Sequence, residues 1–150
     1  MISQRAKYAL RALVALARAG TESLVTSDIA ERERIPRKFL EQILLELKRD
    51  GIVQSRRGKA GGYALLKPAD TITFGQVLRL IDGPLAPVPC LSRVAYRRCK
   101  DCLNEENCEI RLVFARWAQS ARAVLDETTI ADALDQAKSR RFAEELSEAV

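Results

Sequence analysis

Apolar residues recur at helical spacing in the first stretch of the chain, residues 3–18. Tyr8, Leu13 and Leu16 belong to this pattern, and alanine fills many of the remaining positions. Because residues three and four apart share one side of a helix, the pattern predicts a scaffold helix with one face in a core. Gly20 and Thr21 predict its end.

Two shorter periodic segments follow, at about residues 26–34 and 36–50. Thr26 or Ser27 is a suitable N-cap for the first helix, and Pro36 suits the first turn of the second. Gly51 predicts the end of the second helix. Its apolar stripe, which we assign to the core, comprises Phe39, Leu40, Ile43, Leu44 and Leu47. Two helices joined by a tight connection behind a scaffold helix predict a helix-turn-helix.

The pattern then changes to two short strands, residues 52–55 and 63–66. The turn between them contains three glycines and three cations, Arg56, Arg57 and Lys59. Glycines and cations at the tip of a hairpin predict a wing that approaches a phosphate backbone; a merely solvated surface hairpin is the alternative. The fold class is therefore mainly α with a small β wing, a winged helix-turn-helix.

The second half of the chain is helical around a loop rich in proline and cysteine. Thr73 predicts the cap of a helix through Asp82, and residues 108–126 form a longer helix with a broad apolar stripe. A small winged helix needs little extra core, so we expect this stripe to pack against a second copy of the chain; burial within one chain is the alternative. Thr128 or Thr129 predicts the cap of a last helix.

These patterns divide the chain into four parts. They are a winged helix-turn-helix DNA-binding domain (1–83), a cysteine-rich sensor loop (84–107), a long dimerisation helix with a following short helix (108–138) and a charged tail (139–150).

The charged residues are distributed unevenly along the chain. The net charge is +5 over 150 residues, and residues 1–83 hold 15 Lys and Arg against 9 Asp and Glu. A basic excess confined to the winged helix favours double-stranded DNA as the partner. Basic residues interrupt the N-terminal apolar positions, and no apolar run reaches the length of a membrane span. We therefore expect a cytoplasmic protein with no membrane partner and no small-molecule substrate.

All four cysteines fall in one short stretch, and the chain has no histidine. They are Cys90, Cys99, Cys102 and Cys108. Clustered thiols in a chain without a secretion signal favour a metal, a cluster or a redox couple over structural disulfides. The neighbouring cations Arg93, Arg97, Arg98 and Lys100 are expected to lower the pKa values of the thiols.

The motifs resemble those of the IscR/NsrR/RirA/CymR family of bacterial regulators, usually called the Rrf-two family. The resemblance covers roughly residues 1–137. It is carried by the segments 7–10 (KYAL), 39–43 (FLEQI) and 57–63 (RGKAGGY). It implies a homodimeric repressor or activator whose long C-terminal helix crosses that of its partner, on a pseudo-palindromic operator.

The resemblance places the base-contacting residues of the recognition helix at Glu41 and Gln42. Arg37 and Lys38 lie in the same first turns, although they differ from the small polar residues of some relatives. Including flanking phosphate contacts, the predicted DNA-contacting residues are Ser3, Arg5, Ser27, Arg37, Lys38, Glu41, Gln42, Arg56, Arg57 and Lys59.

Many members of the family hold an iron–sulfur cluster in the cysteine loop. Here Cys90, Cys102 and Cys108 resemble the ligands, and Cys99 is additional. The histidine ligand of one subgroup is replaced by Arg111, and the aspartate of another by Lys7. Four thiolates can nevertheless complete a site, so a 4Fe–4S or 2Fe–2S cluster is favoured, with Cys99 as fourth ligand or spare.

The function indicated is a DNA-binding regulator that senses iron, redox state or nitric oxide through its cysteines and changes its operator affinity. A regulator with a thiol–disulfide switch, using Cys99 and Cys102, or with a four-cysteine zinc site is the alternative. A thiol oxidoreductase using the CxxC segment is a rival from another class, but redox CxxC enzymes usually have a βαβ frame, which is not seen here. An adaptor that uses the winged helix for protein contacts is disfavoured by the basic wing.

Overall fold

The computed structural model describes the backbone of residues 2–148 and the side chains of residues 2–140. Six helices and one two-stranded antiparallel sheet make up the fold. In chain order they are α1 (Gln4–Ala19), α2 (Thr26–Glu33), α3 (Arg37–Arg49), β1 (Val53–Arg56), β2 (Gly62–Leu65), α4 (Phe74–Asp82), α5 (Glu109–Glu127) and α6 (Ile130–Glu148). The predicted class, mainly α with a small β wing, is confirmed. None of the helices within the described residues is long and apolar enough to cross a lipid bilayer.

The core of the winged helix lies between α1 and α3. Leu13 and Leu16 of α1 are fully buried, and so is the stripe of α3 formed by Leu40, Ile43, Leu44 and Leu47. Ile130, the first residue of α6, is buried in the same cluster. The start of α6 therefore belongs to the core of the winged helix.

Phe39 corrects the predicted stripe, because its side chain is 53% exposed. On a helix, each residue turns about 100° from the one before it. The buried stripe of α3 occupies one continuous arc, formed by Leu40, Ile43, Leu44 and Leu47. Phe39 lies beyond the edge of this arc, toward the solvent-facing side of the helix. The hydrophobicity of Phe39 alone was misleading; its position around the helix decides its exposure.

Two helix starts differ in how well they match the predicted caps. Helix α2 begins at Thr26 and its N-cap is Val25, without a side-chain hydrogen bond, so the predicted cap at Thr26 or Ser27 is wrong. At α4, Thr73 Oγ1 accepts the backbone N–H of Gln76, as predicted.

The last helix begins with a reciprocal cap. Thr129 Oγ1 accepts the N–H of Asp132, whose carboxylate accepts the N–H of Thr129. Hydrogen bonds from the Thr129 side chain and backbone lower the pKa of Asp132. The backbone of α6 stays helical through Glu148, so most of the expected charged tail continues this helix. Residues 149–150 lie outside the described residues.

The wing is the hairpin of β1 and β2, in which Val53 pairs with Leu65 and Arg56 with Gly62. It is attached to the helix-turn-helix through Leu24, which exchanges two backbone hydrogen bonds with Tyr63, at 2.9 and 2.8 Å. Gly62 has φ of +130°, and a side chain there would collide with the backbone of Leu24. This close approach fixes the wing beside α2.

Leu44 and Leu45 offer a direct test of this core, since they are adjacent in α3 but Leu44 is buried and Leu45 is 44% exposed. Leu44→Ala should lower the free energy of unfolding by about 2–5 kcal/mol, because it leaves a cavity between α3 and α1. Leu45→Ala should change it by only about 0.5 kcal/mol. Urea denaturation followed by circular dichroism measures both, and equal losses would contradict the placement of α3.

Candidate functional site

The solvent-facing side of α3 is the first candidate site. With the apolar stripe of α3 buried against the core, the opposite side presents Lys38, Glu41, Gln42 and Leu45 to solvent, all exposed. Arg37 is exposed at the first position of the helix. These are the side-chain types that donate to guanine, pair with adenine, accept from cytosine and touch the thymine methyl group. The face has the composition of a recognition helix.

Arg37 and Glu41 form an ion pair across one turn of α3, with 2.9 Å between Nε and Oε1. Both side chains are more than half exposed, at 68% and 52%. An exposed pair at this spacing is worth only about 0.3–0.5 kcal/mol. Contact with a base can therefore replace it at little cost.

The wing carries the second group of cations. Arg56 Nη1 donates to the backbone oxygen of Thr21, at 3.0 Å, and so ties the wing to the turn after α1. Arg57 and Lys59 lie exposed at the tip. The three predicted wing residues thus differ, because Arg56 contributes to attachment whereas the other two extend from the tip.

The flanking residues predicted to contact phosphates are more constrained. Ser3 caps α1 and its backbone N–H donates to Asp82 at 2.8 Å, while its hydroxyl donates to the same carboxylate. Arg5 is paired with Glu46 of α3. Ser27 is exposed on α2. Ser3 and Arg5 therefore already bond within the chain, and the exposed predicted contacts are those of α2, α3 and the wing.

The second candidate site is a cavity of about 440 Å³ between the loop and the start of α5. All four cysteines line it, and each is a free thiol. Cys90 is buried and the other three are partly exposed. The tertiary structure thus brings Cys90, eighteen positions before Cys108 in the chain, to the same cavity. Its volume far exceeds the ~30 Å³ that one water molecule occupies.

Cys108 lies at the N-cap of α5, where its Sγ accepts the backbone N–H of Arg111 at 3.4 Å. The N–H groups at a helix start carry partial positive charge. The start of α5 therefore fixes the position of the Cys108 Sγ atom at the cavity.

Cys99 has different surroundings. Partial desolvation raises the pKa of its thiol, and the charge and hydrogen bond of the nearby Cys90 thiol raise that pKa further, as do Asp101 and Cys102. The expectation that neighbouring cations lower the thiol pKa values is therefore wrong for Cys99. Arg98, for example, donates to the backbone oxygen of Cys102.

The donor set of this cavity consists of four thiols, which fit an iron–sulfur cluster in chemical type. Within the described residues, no three Cys, Asp or Glu side chains are placed to hold one metal ion. A tetrahedral zinc site needs four ligands within about 2.3 Å of one atom. A cluster distributes its thiolate ligands over several irons, so its sulfurs lie farther apart. Four soft donors around one roomy cavity match that requirement.

Helix α4 connects the two candidate sites. At its end, Asp82 bonds to Ser3 at the start of α1, and Arg79 pairs with Asp126 of α5 at 2.7 Å. The cysteine loop begins immediately after α4 and ends at α5. The loop therefore joins α4, which packs on α1, to α5, which packs on α4.

Helix α5 leaves most of its apolar stripe uncovered. Of its residues only Ala118 is buried. Exposed large apolar side chains on this helix are Ile110, Leu112, Val113, Phe114, Trp117 and Val124. The alternative of burial within one chain is therefore not what the structure shows.

Arg111 is a cavity residue that the sequence pattern indicated only as the replacement of a histidine ligand. Its side chain lines the cavity together with the four cysteines. The available signal was the helix start, because the third residue after an N-cap turns back toward that cap. The burial of its Nε atom could not be seen in the sequence.

A recognition helix, a basic wing and a scaffold helix define a winged-helix DNA-binding regulator of transcription. The chain belongs to the Rrf2 family, described as iron-dependent transcriptional regulators, whose sequence pattern matches residues 2–136. The family resemblance inferred from the motifs is confirmed.

Known proteins support this assignment. An rrf2-like HTH-type regulator of Rhodobacter capsulatus is 46% identical over 138 residues, covering 89% of this chain and 92% of its own. CymR of Bacillus subtilis is 31% identical, with 87% of each chain covered. The solved structure of B. subtilis CymR superposes with a TM-score of 0.76 at 29% identity, over 91% of this chain and 97% of that one. T. potens IscR gives 0.72 at 26% identity, over 91% and 88%. These relatives are regulators of transcription, and the chain is not an enzyme.

The surroundings of Cys99 predict its reactivity in the metal-free protein. Because its pKa is raised, the thiol stays protonated to a higher pH, and its alkylation by iodoacetamide should begin at a higher pH than that of an ordinary cysteine. Cys90→Ala removes two causes of the shift, so the midpoint should move to lower pH. Cys108→Ala removes a thiol that is not among those causes and should leave it unchanged. Mass spectrometry of the Cys99 peptide measures the pH at which alkylation is half complete. If Cys90→Ala left this pH unchanged, the proximity of Cys90 to Cys99 would be refuted.

Proposed function

We propose that this regulator senses iron, redox state or nitric oxide through an iron–sulfur cluster held by its four cysteines, and that the state of the cluster sets operator affinity. Cys90, Cys102 and Cys108 are the core ligands and Cys99 is the fourth. The observation that carries the proposal is the single cavity lined by all four thiols. When bound, the cluster supplies a redox-active centre that oxygen or nitric oxide can damage.

The protein's own part is to hold and orient the thiolates. The start of α5 holds the Cys108 Sγ atom through the backbone N–H of Arg111, and the loop brings Cys90 and Cys99 together. Ordered ligands would fix the loop between α4 and α5. Since α4 bonds to α1 through Asp82 and Ser3, the order of the loop is coupled to the position of the DNA-binding head.

The regulator is proposed to act as a homodimer through α5. The support is the row of exposed apolar side chains on that helix, with Trp117 58% exposed near its middle. A patch of this kind is typical of a protein interface. A two-fold dimer presents two recognition helices and therefore binds a pseudo-palindromic operator. Sedimentation should give the mass of two chains.

A thiol–disulfide switch is the second candidate. The proximity of Cys99 to Cys90 in the cavity favours it, because neighbouring thiols can be oxidised to a disulfide. The structure of an oxidised form of Staphylococcus aureus CymR, a fold neighbour with TM-score 0.68 and 28% identity, adds support. This pairing differs from the Cys99–Cys102 pair expected from spacing.

DNA contacts are proposed to divide between base recognition by α3 and backbone attraction by the wing. Arg57→Ala should weaken binding to every duplex and reduce the slope of log K against log salt by about 1. Glu41→Ala should instead reduce the penalty for operator mismatches, which is about 1–3 kcal/mol per base pair. Arg116→Ala removes the same charge from α5 and should change neither.

Fluorescence anisotropy measures these effects on duplexes selected from a randomised pool, and on the same duplexes with single base changes. If Glu41→Ala lost affinity equally for all duplexes, Glu41 would not contact bases. If the wild-type protein bound no duplex at low salt, DNA recognition itself would be refuted.

Purification without oxygen tests the cluster. The wild-type protein should be brown and contain iron and acid-labile sulfide, whereas Cys102→Ala should contain little of either. Val94→Ala, an exposed change in the same loop, should retain both. Operator affinity should change by about 5–150-fold on removal of the cluster, the usual range for coupled sites.

A colourless protein with a Cys90–Cys99 disulfide would favour the second candidate. Equal operator affinity of the loaded and cluster-free proteins would contradict the proposed coupling, even if the cluster were present.

A further inference from the structure

The Nε atom of Arg111 is buried and finds no hydrogen-bond partner among the described residues. The same side chain lines the cavity of the four cysteines. Most buried polar atoms in proteins are hydrogen-bonded, because an unpaired donor away from water costs free energy. A charged group raises that cost further. A missing partner in the cavity would explain why this arrangement is tolerated.

The helix start fixes where the guanidinium can go. Arg111 is the third residue after the cap of α5, and its backbone N–H already donates to Cys108 Sγ. Its side chain therefore begins beside one proposed ligand. Asp101 and Glu109 also line the cavity, yet neither forms a hydrogen bond to this Nε within the described structure. The partner is thus expected to be an anion that occupies the cavity itself.

We propose that Arg111 is a positioning residue for the anionic cluster, supplying an N–H donor and a positive charge to the sulfurs of the group that the four thiolates hold. This inference rests on the proposed function. Arg111 stands at the place of a histidine ligand in some relatives. Its proposed task is different, because it compensates charge without coordinating iron.

The charge has a defined consequence for the reduction potential. When a reduced dye donates one electron, the cluster gains one negative charge while the dye is oxidised. A nearby cation stabilises that extra charge more than it stabilises the oxidised form. Loss of the Arg111 charge should therefore make the potential more negative.

The test compares Arg111→Gln and Arg111→Lys with Arg116→Gln, a control that removes the same charge at an exposed position of α5. Protein loaded with its cluster under anaerobic conditions is titrated with dithionite and redox dyes, and absorption gives the potential. Arg111→Gln should have a more negative potential than wild type and lose its cluster faster. Arg111→Lys should lie between the two, and Arg116→Gln should match wild type.

Thermal unfolding of the cluster-free proteins provides a second readout. Without the cluster the buried Nε atom has no hydrogen-bond partner among the described residues, so Arg111→Gln should unfold at the same temperature as wild type or higher. A purely structural Arg111 would instead make the cluster-free variant less stable. The unfolding temperature therefore distinguishes a positioning role of Arg111 from a purely structural one even if Arg111→Gln cannot retain a cluster.

An unchanged potential and cluster lifetime in Arg111→Gln, or a destabilised cluster-free variant, would overturn the inference while leaving the cluster proposal intact. A wild-type protein without iron and sulfide would overturn the proposed function, and the inference with it.

Discussion

Burial of one face of α3 against α1 is the constraint on which the other features depend. Four aliphatic side chains of α3, from Leu40 to Leu47, are removed from water there. Because a helix is rigid, burying this face turns the opposite one outward. Glu41 and Gln42 are therefore presented to solvent in a fixed orientation, without any other contact having to hold them. The wing is attached to the same unit through Leu24, which exchanges two backbone hydrogen bonds with Tyr63 of β2.

The second organising feature is the position of the cysteine loop between two helices that contact the head. Helix α4 packs on both α1 and α5. Its polar links, Asp82 to Ser3 and Arg79 to Asp126, are exposed or half-exposed bonds of modest strength. Breaking either link would leave the hydrophobic core in place, because none of these four residues belongs to it.

Much of the architecture could be predicted from local patterns. Periodicity predicted the first five helices within a residue or two, whereas the last helix extends to Glu148, well beyond its predicted end. Thr73 is a cap as predicted, and the glycine-rich basic turn indicated the wing. Two of the failures share one cause. Phe39 was assigned to the core because it is apolar, and Thr26 or Ser27 was assigned a cap because of its side-chain type. In both cases the angle around the helix or the exact start of the helix decided the outcome, and neither is encoded by residue type alone.

The helices, the strands, the uneven charge and the four thiols could be recognised from the amino-acid sequence, because each depends on residues that lie near one another in the chain. The sequence did not reveal that Cys90 faces the same cavity as Cys108, that the Arg111 Nε atom is buried beside them or that α5 leaves its apolar side uncovered. Those facts depend on how distant segments pack, and packing is a property of the whole core.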